Sequence, residues 1–184
     1  RAAETVRLPA NRADKRTGPA GETIGTDTAT GMLNNCAGGY TPWGTVLTCE
    51  ENFNQYFGNV STCPDPIAKA DHGVYGLSAT ATERGWERVY PNRLDTSVSP
   101  TEPWKYGYGV EIDPTDPIST PVKHTALGRT KHEAANTWLA PDGRVVVYSG
   151  DDEVNQCLYK FVTAGTYDPA DRAAMWAQLS KTLS

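Results

Sequence analysis

The sequence predicts an all-β fold built from short strands, with one helix near the C-terminal end. Several runs of about four to eight residues alternate apolar with polar side chains or are rich in β-branched residues. Turn-forming residues separate these runs, and the chain holds 17 Gly and 13 Pro among its 184 residues. A hydrophobic content of 38% without a long apolar run is typical of a globular domain and predicts no transmembrane helix.

Individual strands follow from the position of each run relative to a turn. Thr45–Glu50 leaves a Pro-Trp-Gly turn and alternates in polarity. Asn136–Gly150 carries Pro-Asp-Gly at its centre, which is typical of a hairpin. Further strands are predicted at His72–Ser78, Trp86–Tyr90, Tyr108–Asp113, Pro121–Gly128 and Cys157–Thr163. Such a series of short strands is compatible with a sandwich, a barrel or a propeller.

The two ends of the chain have different patterns. Residues 1–29 are charged and aperiodic, and we expect an extended arm there, before a single domain over 30–184. The helix is predicted to begin with Asp168 as its N-cap and Pro169 in its first turn. Its packing face contains residues at three- and four-residue steps: Arg172, Trp176, Leu179 and Leu183.

Charge and cysteine content narrow the function classes. The formal net charge of −5 argues against a nucleic-acid-binding surface. The four cysteines contain no CxxC pair, and the three histidines are too few to favour a histidine-built zinc centre. If one cysteine binds a metal, at most one disulfide forms among the rest, and Cys63–Cys157 is the pair we expect.

Three clusters of polar side chains stand at or near the ends of predicted strands. They contain Asn34–Cys36 with Glu50–Asn52, then Lys131–Glu133, and then Asp151–Glu153. Carboxylates and amide oxygens suit Ca²⁺, whereas a thiolate favours iron or zinc, so together they predict a mixed cation cluster. Simpler alternatives remain open for each part: a disulfide or buried thiol at the cysteine, a solvated strand end at the glutamates and turn chemistry at the aspartates.

Three long segments resemble the PhoX-type alkaline phosphatases, in that family's order. They are NNCAGGYTPWGTVLTCEENFNQYF, GYGVEIDPTDPISTPVKHTALGRTKHEAA and YSGDDEVNQCLYKFVTAGTYDPADRAA. The resemblance covers most of the chain. It implies a six-bladed β-propeller, of which this chain is a part, and a monomeric enzyme exported by the twin-arginine route to the periplasm or the extracellular space. The implied activity is hydrolysis of phosphate monoesters for phosphate acquisition, and the implied cofactors are an Fe(III) pair and Ca²⁺ ions.

The resemblance also implies roles for individual residues. Cys36 and Glu133 match iron ligands of the family, and Glu50, Asp152 and Asp151 match positions expected to bind calcium. Two neighbours of these ligands are expected to face the phosphate group of the substrate: Asn35 and Lys131. The glycines of AGG are expected to let the backbone approach a crowded cluster.

One part of the family pattern is absent from the sequence. The family uses an Arg-Pro-Glu segment to complete its cluster, and no Arg-Pro-Glu occurs among these 184 residues. We therefore expect little phosphatase activity from this chain alone. The main alternative is a non-catalytic calcium-binding β module with a structural or adhesion role, and a disulfide-stapled secreted domain is a further one.

Overall fold

The computed structural model describes residues 5–7, 28–171, 174 and 179, with residues 5–7 described by their backbone alone. These residues divide into two compact units. The first contains residues 5–7, 28–51 and the chain from 107 onward, and the second contains 52–106. Among the described residues, no helix is long and apolar enough to cross a membrane.

A six-stranded sheet and a three-stranded sheet form the first unit. The larger sheet has the order β2-β1-β6-β5-β4-β3, and its pairs are antiparallel except for the parallel pair β1–β6. Its strands are β1 (Thr5–Arg7), β2 (Thr28–Thr30), β3 (Asn35–Tyr40), β4 (Val46–Glu50), β5 (Gly109–Ile112) and β6 (Val122–His124). The smaller sheet is antiparallel with the order β7-β8-β9, from β7 (Asn136–Leu139), β8 (Arg144–Gly150) and β9 (Leu158–Thr166).

One apolar core joins the two sheets of this unit. The side chains that form it include Trp43, Leu47 and Cys49 from around β4, Val145 and Val147 from β8, and Leu127, Ala135 and Leu179. Val-rich β8 is suited to this position because β-branched side chains pack well on a pleated surface. The hairpin between β7 and β8 turns at Gly143, whose φ of +84° costs glycine no strain.

The second unit is mainly helical, which corrects two sequence predictions. It contains α1 (Pro66–Val74), α2 (Trp86–Val89) and α3 (Pro91–Leu94), so the strands predicted at His72–Ser78 and Trp86–Tyr90 are wrong. Helix α1 begins because the Asp65 side chain accepts hydrogen bonds from the backbone N–H groups of Ile67 and Ala68, at 2.9 and 3.1 Å. The Asp-Pro pair that predicted a helix start at Asp168 also occurs at Asp65-Pro66, and the sequence analysis did not predict a helix there.

The remaining strand predictions are confirmed, and so is the mainly β character of the first unit. Strands β4 to β9 lie within or largely within the predicted runs. Within the described residues the two sheets do not close into a propeller. Part of the predicted N-terminal arm, at 5–7 and 28–29, is strand, and the rest of it lies outside the described residues.

Most of the predicted C-terminal helix also lies outside the described residues. Of its packing face, Leu179 is described and is fully buried in the core. At its predicted start, Pro169 and Ala170 form a turn in which the Ala170 N–H donates to Asp168. A second side-chain bond of this kind follows, from the Ala174 N–H to Asp171.

Candidate metal centre

The metal-ligand candidate Cys36 lies in an irregularity of strand β3. Asn35 pairs with Glu50 and Gly38 pairs with Thr48, so Cys36 and the residue after it both lie opposite Cys49. A bulge of this kind re-aims side chains and is common beside functional sites. The Cys36 thiol is exposed and free, whereas burial raises the pKa of the Cys49 thiol to about 12.

The glycine pair after Cys36 serves strand packing. A Cβ on Gly38 would lie 1.8 Å from the Leu47 carbonyl oxygen, and one on Gly39 would lie 2.3 Å from the Ala135 carbonyl oxygen. No side chain fits at either distance. The pair therefore lets β3 lie close against its neighbours, which places Cys36 indirectly. In the sequence these glycines had been expected to border the cation cluster itself.

Glu51 is the carboxylate that meets Cys36. It is 9% exposed, and its side chain forms hydrogen bonds with Cys36 and Asp152. Burial is the largest cause of the raised pKa of Glu51, followed by the hydrogen bond to Asp152. The bond to Cys36 lowers this pKa, while the charges of Asp152 and Glu133 raise it further.

These four side chains define a cluster that we call the acidic–thiol cluster: Cys36, Glu51, Glu133 and Asp152. Neighbouring carboxylates repel one another unless a proton or a cation neutralises them, and the charges of Asp152 and Glu133 both act on Glu51. The donor set fits the cations implied by the resemblance, because it combines a soft thiol with hard carboxylate oxygens. Within the described ranges, no group of three or more His, Cys, Asp or Glu side chains is arranged so that it could hold a metal ion, so these four residues do not form a complete metal shell by themselves.

Two loops carry Glu133 and Asp152 and are joined by backbone hydrogen bonds. The Glu133 N–H donates to the Gly150 carbonyl at 3.4 Å, and the Asp152 N–H donates to the Lys131 carbonyl at 3.0 Å. The Asp151 carboxylate accepts the Lys131 N–H at 3.0 Å. Asp151 thus fastens the loop that carries Lys131, and the expectation that it binds calcium directly stays a prediction.

The buried His132 ring stabilises the same pair of loops from the interior of the unit. The ring is fully buried, with Nδ1 at 2.6 Å from Ser149 Oγ and Nε2 at 3.1 Å from the Gly128 carbonyl oxygen. Burial lowers the pKa of His132 below its ordinary value, so the ring is neutral at physiological pH. Its flanking residues Lys131 and Glu133 are held at the surface of the unit as a consequence.

The ammonium of Lys131, expected to face the phosphate group, is paired with Glu153. This ion pair lowers the pKa of Glu153, mainly through the hydrogen bond to Lys131. Lys131 lies two residues before Glu133 in the chain, and its partner Glu153 is the residue after Asp152, so the two ends of this ion pair belong to the segments that carry those two carboxylates. A phosphate group would have to compete with Glu153 for the Lys131 ammonium.

The geometry of Glu50 differs from the expectation that it binds calcium. Its two carboxylate oxygens receive four donors, the Lys123 ammonium and the backbone N–H groups of Leu33, Gly107 and Tyr108, at 2.7 to 3.2 Å. A carboxylate has about four lone-pair sites, so a cation at Glu50 would have to displace one of these four donors. Consecutive strand residues point to opposite faces, and Glu50 lies on the face away from Cys36.

Asn35 lies on the same face as Glu50. It pairs directly with Glu50 across the strands, and its side-chain amide donates to Thr48 Oγ1 at 3.2 Å and to Met32 Sδ at 3.6 Å. This placement directs Asn35 away from the acidic–thiol cluster, in contrast to its expected contact with phosphate.

The sequence analysis grouped Glu50–Asn52 as one donor block and chose Glu50 from it, although a signal that favours Glu51 was present. Period-two alternation along β4 would have placed Glu51, and not Glu50, on the side of Cys49. The expected Cys63–Cys157 disulfide is also wrong: all four cysteines are free, and the Cys63 thiol donates to the Asp65 carbonyl.

Comparison with known proteins places these features in a family. A family profile described as "Alkaline phosphatase PhoX" matches residues 2–182. The structure is similar to that of Pseudomonas fluorescens PhoX in complex with vanadate, a transition state analogue, with 42% sequence identity and a TM-score of 0.80. The match covers 97% of this chain and 30% of that one, so the chain spans about a third of the related protein's length. No curated protein sequence matches the chain significantly.

Proposed function

The chain belongs to the PhoX alkaline phosphatase family, and from this premise we propose that the protein hydrolyses phosphate monoesters at a cation centre to which this chain contributes. The observation that supports the proposal most strongly is the acidic–thiol cluster. Its carboxylates are mutually repulsive without a neutralising charge, which is the environment a multivalent cation stabilises.

In the proposal, iron and calcium are held by residues of the cluster. Cys36 supplies the soft ligand that favours iron, with Glu133 as its carboxylate partner. Glu51 and Asp152 supply hard oxygens for calcium, and Glu51 takes the place first expected for Glu50. Cations bound there would neutralise the charge of a phosphate ester and stabilise the leaving oxygen.

The protein side chains then bind and orient the substrate. Lys131 exchanges its ion pair with Glu153 for the phosphate group, while His132 and Asp151 keep the Lys131 loop in place. We further propose that the fold of 30–184 is part of a six-bladed propeller, and that the rest of the protein supplies the Arg-Pro-Glu contribution. Export to the periplasm or beyond and a monomeric state are proposed from the family resemblance alone.

Elemental analysis with a matched pair of cysteine variants tests this function. Cys36 and Cys157 are both exposed free thiols, and only Cys36 belongs to the cluster. We expect Cys36→Ala to lower the iron content of the purified full-length protein by about tenfold or more, and Cys157→Ala to leave it unchanged. Release of the chromophore from a phosphate monoester should fall in parallel.

The same measurement distinguishes the alternatives. Calcium without iron in the wild-type protein, together with no turnover of the monoester, would support a non-catalytic calcium-binding module. Unchanged iron content in Cys36→Ala would exclude Cys36 as a ligand. Strong turnover by the 184-residue chain alone would contradict the expectation that the remainder of the protein completes the site.

A further inference from the structure

Glu50 and Lys123 form a fully buried ion pair in the centre of the larger sheet. Both side chains are 0% exposed, and Lys123 Nζ lies 2.7 Å from Glu50 Oε1. Removing two charges from water costs several kcal/mol per ion, and apolar residues of similar size often give equal or greater stability. Such a pair is therefore weak as a device for stability alone, and its contacts indicate another role.

The backbone contacts of Glu50 lead toward two segments of the acidic–thiol cluster, and its own peptide leads to a third. The Leu33 N–H, at 2.9 Å from Oε1, begins the turn that leads into Cys36. The peptide after Glu50 is that of Glu51, whose N–H donates to the Asn34 carbonyl at 3.2 Å. The Glu50 carboxylate thus binds the chain that leads into Cys36, while Glu51 follows Glu50 directly and is bonded to the same stretch through Asn34.

The third segment is reached through the start of β5. The Gly107 and Tyr108 N–H groups donate to Glu50 Oε2 at 3.0 and 3.2 Å. The Gly107 carbonyl in turn accepts the Thr130 N–H at 3.1 Å, immediately before Lys131. One or two hydrogen bonds therefore connect Glu50 to the segments that carry Cys36, Glu51 and Glu133. The loop of Asp152 is not connected to Glu50 in this way.

We propose that the Glu50–Lys123 pair is a positioning device that holds Cys36, Glu51 and the Lys131–Glu133 loop at the spacing the cations require. The inference rests on the proposed cation centre and deepens it. Glu50 acts through its neighbours and binds no cation itself. Lys123 pairs with the Glu50 carboxylate inside the sheet at 2.7 Å, and the three backbone N–H groups donate to the same two oxygens.

A second buried carboxylate in the same sheet provides a matched control. Glu111 is also 0% exposed and pairs with a residue of β6, since its Oε2 lies 2.6 Å from His124 Nε2. Its other donors are the Trp43 Nε1–H and the Thr45 hydroxyl, which lie before β4 and far along the strand from Glu51. Loss of Glu111 should disturb the sheet without moving the cluster.

The experiment compares Glu50→Gln and Glu111→Gln in the full-length protein. Iron and calcium contents, calcium affinity by titration of the chelated protein, and melting temperature are measured for each. We expect both variants to melt earlier than wild type, and Glu50→Gln alone to weaken cation affinity by about 10- to 100-fold, as loss of a residue that orients ligands does. The rate of maleimide labelling of Cys36 in the chelated protein should rise in Glu50→Gln and not in Glu111→Gln.

A double variant keeps the test decisive if Glu50→Gln folds poorly. Glu50→Gln with Lys123→Met removes both charges and should recover the melting temperature in part without recovering cation affinity. Wild-type cation affinity in a folded Glu50 variant, or equal losses of affinity in Glu50→Gln and Glu111→Gln, would overturn the positioning role. If the wild-type protein itself binds neither iron nor calcium, the proposed function fails instead, while the labelling rates still report on positioning.

Discussion

Glu50 and Glu51 are adjacent in the chain, yet their carboxylates lie on opposite faces of the sheet at the end of β4. Glu50 is surrounded by donors in the sheet interior, whereas Glu51 meets Cys36 and Asp152. Two identical side chains, one peptide apart, thus have opposite electrostatic environments. Their substitution by glutamine should consequently have opposite effects on the stability of the cation-free protein.

Glu51→Gln should stabilise the cation-free protein at neutral pH. Because burial and neighbouring carboxylates raise the pKa of Glu51, the folded state binds its proton more tightly than the unfolded state does. Between the ordinary glutamate pKa of 4.5 and the raised pKa of Glu51, the unfolding free energy therefore falls as pH rises. Above the raised pKa, the destabilisation by the Glu51 charge is fully present. Chemical denaturation at pH 7 and pH 4 should show the gain at pH 7 and a smaller one at pH 4.

Glu50→Gln is the control for that measurement and should change stability in the other direction. It removes the negative charge that faces the buried Lys123 ammonium, and breaking a buried ion pair in this way typically costs about 3 to 5 kcal/mol of unfolding free energy. Equal changes for the two glutamates would contradict the opposite environments described for them. Addition of calcium should stabilise the wild-type protein and have little effect on Glu51→Gln.

Thiol labelling should separate the cysteines by burial. In the native, chelated protein at pH 8, maleimide should modify Cys36 and Cys157, which are exposed. It should not modify Cys49, because burial raises the pKa of that thiol to about 12, nor the buried Cys63. Mass spectrometry of peptides would locate the label.

The same labelling experiment on protein loaded with iron and calcium supplies the control, because Cys157 serves as the internal reference for Cys36. Cys36 should then become protected while Cys157 continues to react at its former rate. Rapid labelling of Cys49 in the native state would contradict its burial, and equal labelling of Cys36 with and without cations would contradict its role as a ligand.

Gly38→Ala should destabilise the first unit. The new Cβ would lie 1.8 Å from the Leu47 carbonyl oxygen, so β3 and β4 would have to separate. Overpacking of this kind typically costs about 1 to 3 kcal/mol of unfolding free energy. Because the new Cβ would meet a backbone atom and not a flexible side chain, we expect a cost at or above the upper end of that range. Gly73→Ala in helix α1 is the control: nothing lies within 4 Å of the added Cβ, and alanine favours a helix, so unfolding free energy should stay equal or rise.

Phosphate binding should depend on Lys131 and on its competitor Glu153. Lys131→Met should raise the KM for a phosphate monoester by about tenfold, because one charged hydrogen bond to the phosphate is lost. Glu153→Gln should lower KM by up to about fivefold, since a partly exposed ion pair no longer competes for the ammonium. Steady-state kinetics of the full-length protein would measure both, and an unchanged KM in Lys131→Met would remove Lys131 from the substrate site.

Much of the first unit follows from local signals in the sequence. The Thr45–Glu50 run, the Pro-Asp-Gly hairpin and the Val-rich strand β8 have strong periodicity and turn chemistry, so their strands could be predicted. Helix α1 was missed for a local reason as well, because its Asp65-Pro66 start was not recognised and the residues around its C-terminal end were interpreted as a strand. The family motifs also led to the expectation that Cys36, Glu133 and Asp152 are site residues, and in the structure all three influence the same carboxylate, that of Glu51.

The sequence by itself determined which candidate metal ligands the chain offers, a thiol with several carboxylates, and which strands precede or follow them. Only the tertiary structure decided which of those donors meet. The bulge opposite Cys49 turns Cys36 toward Glu51, and the buried Lys123 keeps Glu50 on the other face. The physical reason is that the face on which a side chain lies depends on strand pairing and on charge partners far apart in the chain. Glu50 and Lys123, for example, are 73 positions apart, and no local sequence pattern records their contact.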